Sequence, residues 1–148
     1  MKSKEVKKAA AFQRGGNIFM HPYSETTQGF WIFSDPVLVV RDTDPAIASQ
    51  LLDALSKSAK NVTHPTSWKG LTAPLLRAAG VRSFDAFTKS AKGVDVCLEG
   101  DCIMFTPTSN GGPKKAFLHL NHKVIRCRAT EAEVTGALRA AFDACERE

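Results

Sequence analysis

VDVCLEGDCIMFT, residues 94–106, consists of two runs rich in β-branched and aromatic residues joined by Glu99-Gly100-Asp101. Short runs of this kind around a glycine-containing connection read as a β-hairpin. With strands at 94–98 and 102–106, Val96 and Leu98 share one face with Ile103 and Phe105. Asp95 and Glu99 then share the opposite face. A hairpin imposes antiparallel pairing, so the fold class depends on what joins it on either side.

Upstream, three further strands are predicted at about 18–23, 30–33 and 37–40, with a turn at 24–29 and a kink at Asp35-Pro36. Val37-Leu38-Val39-Val40 is apolar on both faces and reads as a central strand. Asp44-Pro45 starts a helix, since an aspartate can cap and a proline suits the first turn. Ile47, Leu51 and Leu55 recur every four residues and carry that helix to about residue 58. Residues 60–70 are polar and form a loop around His64-Pro65 and Trp68. Thr72 caps a short helix with Leu75, Leu76 and Ala79, stopped by Gly80. Ser83 caps another through Phe84, Phe87 and Ala91, stopped by Gly93.

Downstream, 108–115 is a polar glycine and proline loop. Strands follow at 117–120 and 123–128 around Asn121-His122. Thr130 and Glu133 have capping-box spacing before a stripe of Val134, Leu138, Ala141, Phe142 and Cys145. Strands, helices, strands and a final helix give an α+β class. The expected architecture is a single domain, a mainly antiparallel sheet with about four helices packed on it.

The charge is uneven. The 148-residue chain carries a formal +5. Lys2, Lys4, Lys7, Lys8 and Arg14 against Glu5 place most of that excess in the first 14 residues. Residues 1–16 are therefore expected to be a basic arm, at most a weak helix broken by Gly15-Gly16. Residues 17–148 form the α+β domain, long enough to bury a real core. No apolar run approaches the roughly 20 residues of a membrane span, and the start lacks a secretory core. The expected location is the cytoplasm. Cys97, Cys102, Cys127 and Cys145 show no C-x-x-C spacing and are expected to be reduced, mostly buried thiols.

No pattern of catalytic chemistry stands out. His21, His64, His119 and His122 are scattered, and there is no G-x-S-x-G elbow. His119 and His122 with Cys102 or Cys127 have zinc-ligand chemistry, but 119 and 122 on a continuous strand point to opposite faces. Thr108–Lys115 resembles a phosphate loop only superficially, because Pro113 removes a backbone donor and the G-x-x-x-x-G-K-[ST] spacing is absent. The expectation is a non-enzyme with no metal and no cofactor. A small RNA-binding module using the basic arm, with Arg126 and Arg128 on one strand face, is the alternative class, although no RNP-type motif is present.

Several stretches are similar to bacterial immunity proteins of contact-dependent growth inhibition systems: GFWIFSDPVLVV at 29–40, LLDALSKSAKNVTHP at 51–65, PLLRAAGVRSFDAFTKSAKGVDV at 74–96 and FTPTSNGGPKKAFLHL at 105–120. These are structural patterns, and they cover most of residues 17–128. The resemblance implies a cytosolic protein that binds the toxin C-terminal domain of a cognate effector as a heterodimer and blocks its active site. Such toxins are often nucleases, commonly acting on tRNA. It implies no turnover, no membrane and no direct nucleic acid partner. Immunity surfaces vary with their toxins, so no site residues transfer from the family. Residue chemistry offers Glu25, Asp95, Glu99 and Asp101 as acidic contacts to a basic nuclease cleft. It also offers His64, Trp68 and Lys69 as an anchor loop, because tryptophan is enriched among interface anchors.

Overall fold

The computed structural model describes residues 5–112 and 116–147. Its elements are β1 (Val6–Arg14), β2 (Asn17–Glu25), β3 (Trp31–Phe33), β4 (Leu38–Arg41), α1 (Ile47–Ser56), α2 (Ala73–Ala79) and α3 (Phe84–Thr88). They continue with β5 (Lys92–Glu99), β6 (Cys102–Asn110), β7 (Leu118–His119), β8 (Ile125–Arg128), α4 (Glu131–Ala144) and β9 (Glu146–Arg147), with a 3-10 turn at Asn121–Lys123. The result is a single α+β domain: a curled sheet in the order β3-β2-β1-β5-β6-β7, with four helices among the described residues. β4 also pairs with β2, and β8 and β9 also pair with β6. Every pairing is antiparallel except that of β9 with β6.

The predicted hairpin forms β5 and β6, with Val96 opposite Phe105 and Leu98 opposite Ile103. The basic arm does not survive. Residues 1–4 lie outside the described residues, but Val6–Arg14 is a strand at the middle of the sheet, paired with β2 on one side and β5 on the other. Gly15 and Gly16, read from the sequence as a break, are the turn of the β1–β2 hairpin. Their φ values of +59° and +81° suit a two-residue hairpin turn. Ala9, Ala10 and Ala11 are all at most 1% exposed. Both faces of the strand are covered there, and small side chains let helices approach.

On one face, Ala9, Ala11, Met20, Val96 and Phe105 meet Leu51 and Leu55 of α1 and Leu138 and Phe142 of α4. On the other, Phe12 and Phe19 meet Leu75 of α2 and Phe87 of α3. Helices cover only part of this second face.

Other expectations change in detail. Residues 38–41 form a strand that pairs only with β2, not a central strand, and Val39 is 46% exposed. The first half of β2 pairs with β4 and its second half with β3, so both lie outside β2. Gly93 lies within β5 rather than ending a helix. A Cβ there would fall 2.5 Å from the Phe117 ring, which lies against the strand at that point. Asp44 accepts from the Ala46 N–H at 2.7 Å, and Ser83 accepts from the Ala86 N–H at 3.1 Å. Thr130 makes no side-chain cap. Glu133 reaches past it to the Arg128 N–H at 3.3 Å. The loop expected at 108–115 is shorter at its start, because β6 runs to Asn110, and 113–115 lie outside the described residues.

Candidate functional site

The uncovered part of the second sheet face is a cleft of about 400 Å³. Strand register builds it. Lys8 of β1 stands between Tyr23 of β2 and Cys97 of β5, and Cys97 is opposite Met104 of β6. One step along, Asp95 is opposite Thr106. Because side chains alternate along a strand, these residues all point to the same face. Trp31 of β3 closes one side and His119 of β7 the other.

Two charge contacts organise the cleft. Nε2 of His119 donates to the Asp95 carboxylate. The Lys8 ammonium lies 4.8 Å from the centre of the Trp31 ring, in cation–π range. Burial raises the Asp95 carboxyl above the usual range, and His119 and Lys8 oppose that shift. Burial also raises the Tyr23 phenol, helped by the negative charge of Asp95. The Cys97 thiol is pushed up chiefly by burial, so it is held away from the reactive thiolate.

The residue that closes the cleft is placed by its neighbour in sequence. Phe117 has φ +61° and packs on Phe12 and Phe84 at ring separations of 5.0 and 6.0 Å. This anchors the segment on Gly93. Two residues on, His119 pairs with Thr108 of β6 and reaches over to Asp95 on β5.

A second feature lies at the β2–β3 connection. Phe30, His64 and Trp68 form an aromatic cluster with centroid separations of 5.4, 5.5 and 6.2 Å. Phe30 is 54% exposed and Trp68 53%. The Thr26 hydroxyl accepts from the N–H groups of Gln28 and Phe30. Its own proton is therefore free to go to Nδ1 of His64 at 3.0 Å. A bridge between Thr26 and Val62 ties the loop to the sheet.

The residues singled out in the sequence fall in three places. His64 and Trp68 meet, with Phe30 as a third member. Lys69 is exposed beside them, its N–H bonded to Ser67. Asp95 lies in the cleft and is engaged by His119. Glu99 and Asp101 are exposed at the β5–β6 turn, and Glu99 is four residues along β5 from Asp95, roughly 13 Å. They do not form one acidic patch with Asp95. Lys8, Tyr23, Trp31 and His119 were not identified as a site from the sequence. In the sequence Lys8 reads as part of the arm, Trp31 as part of a strand at 30–33, and His119 as one of several scattered histidines with zinc-ligand chemistry. Only the pairing of β1 with β2 and β5 brings them together.

No protein-family model matches the chain, and no curated protein matches it. Two solved structures are similar over nearly their whole length. One is a protein of unknown function from Neisseria meningitidis, with 16% identity, 99% of each chain covered and a TM-score of 0.79. The other is a chain of a CdiA-CT/CdiI toxin and immunity complex from Yersinia pseudotuberculosis, with 15% identity and a TM-score of 0.78. There, 98% of this chain and 100% of that chain are covered. At these identities the likeness is one of fold. No helix among the described residues is long and apolar enough to cross a membrane.

Proposed function

We propose that this chain is a cytoplasmic immunity protein that binds the toxin domain of a contact-dependent growth inhibition effector and blocks it. The observation that carries the reading is the full-length likeness to a chain of a toxin and immunity complex. The stretches of sequence that resemble immunity proteins point the same way. The proposed action is stoichiometric and without turnover. The partner is a toxin C-terminal domain, with a nuclease as the favoured class, held as a heterodimer.

The part of the second sheet face that helices leave open offers a surface for such a partner, with the Phe30, His64 and Trp68 cluster as a second anchor. A stable complex of this kind buries on the order of 1,200–2,000 Å². The RNA-binding alternative loses its main support, because Lys7, Lys8 and Arg14 belong to a central strand and not to a free arm.

The test is protection. An effector toxin domain recovered with this chain from its native cells is expressed from an inducible promoter, with and without this chain. The reading predicts that growth stops with the toxin alone and continues when the two are co-expressed. Growth arrest that persists with ample soluble chain present contradicts it.

A further inference from the structure

The cleft contains more hydrogen-bond donors than its own acceptor uses. The Lys8 ammonium has three N–H groups and makes no hydrogen bond to any described residue; it lies against the Trp31 face, and its charge acts on Asp95. The Tyr23 and Thr106 hydroxyls also lack a hydrogen-bond partner among the described residues, and both line the same cleft. The acidic group present, Asp95, is already engaged by His119. Lys8 is well placed for a fixed role. Its strand is central, and its backbone N–H donates to the Ser58 hydroxyl at 3.1 Å. Arg126, opposite Met104 on β8, is exposed on the same face and adds positive potential.

We propose that this cleft binds a carboxylate, with the oxyanion on the Lys8 ammonium, the Tyr23 and Thr106 hydroxyls as further donors, and Trp31 and Met104 against its carbon stem. A monoanion fits better than a phosphate dianion, because a single ammonium without a hydrogen-bond acceptor among the described residues faces it and Asp95 lies close by. An ammonium or guanidinium ligand would meet the like charge of Lys8 and would have to displace it. The source we assign is an aspartate or glutamate side chain of the partner; this part rests on the proposed function. It reverses the polarity expected from the sequence, in which this chain supplied the acids.

Trp31 reports on the site once Trp68→Phe removes the other tryptophan. In that background, a short glutamate-containing peptide with blocked termini is titrated while Trp31 fluorescence is followed, and methylguanidinium is titrated separately. The expected result is a saturable response to the peptide and none to methylguanidinium. Lys8→Met should weaken it about ten- to hundredfold, the range for a hydrogen bond to a charged group. Lys8→Arg should keep it, which also shows that the position tolerates substitution. An unchanged affinity in Lys8→Met, no saturable response to the peptide, or a stronger response to methylguanidinium overturns the proposal. The same variants are then tested against the toxin domain. Tight binding that is unaffected by Lys8→Met rejects the partner's carboxylate as the occupant of the cleft and leaves the immunity role intact. A peptide response with no toxin binding does the reverse.

Discussion

At the scale of single residues, His21 shows how burial sets a proton's free energy. It is 2% exposed, its Nδ1–H donates to the Pro22 carbonyl at 2.9 Å, and its ring lies 4.1 Å from Phe33. Desolvation lowers its pKa from 6.5 to about 4. The folded state therefore holds neutral histidine while the unfolded chain takes up a proton. This contribution to stability is complete above the unfolded value, and it is lost as pH falls from about 6.5 towards 4. The shift corresponds to on the order of 3 kcal/mol. Urea unfolding at pH 7.5 and 4.5 should show a smaller loss in His21→Phe than in the wild type, and equal losses would refute the assignment. Gly93 makes a steric prediction. A methyl group there meets the Phe117 ring at 2.5 Å, so Gly93→Ala should cost roughly 1–3 kcal/mol in thermal or urea unfolding. It should also loosen the segment that carries His119. Neither pairing was legible in the sequence, because Asp95 and His119, like Gly93 and Phe117, are separated by 24 residues and meet only through strand register.

Secondary-structure elements were readable in proportion to their patterning. The β5–β6 hairpin emerged with its correct facing pairs because alternation and the Glu99-Gly100-Asp101 turn pointed the same way. α1 and α4 emerged because their apolar residues recur at helical spacing. β1 did not emerge. Lys7, Lys8 and three alanines carry weak strand propensity, and tertiary pairing on both edges overrode it. β4 was misplaced because four apolar residues in a row read as buried on both faces, yet Val39 faces outward at an edge. The correction to β1 gives a direct prediction. A chain beginning at Gly15 lacks the strand between β2 and β5 and should lose cooperative thermal unfolding followed by circular dichroism. A free arm would be dispensable, and a truncated chain that melts like the full chain would restore that reading.

At the scale of the molecule, the α+β class and the single sheet with helices followed from element order, whereas the composition of the cleft did not. A cleft on an open sheet face is assembled from β1, β2, β3, β5, β6 and β7, so its residues are dispersed from Lys8 to His119. The acidic residues chosen from the sequence were plausible one by one. The structure separates Glu99 and Asp101 from Asp95 and commits Asp95 to His119. The basic excess of the chain, awkward for a mimic of nucleic acid, fits a partner that brings the carboxylate.

The account's central claim is stoichiometric capture of a toxin domain. Its most direct measurement is isothermal titration of this chain into the purified effector C-terminal domain recovered with it from its native cells. The account predicts one-to-one binding with nanomolar or tighter affinity and loss of toxin activity at the equivalence point. No heat of binding, together with toxin activity that is unchanged at excess chain, would contradict it.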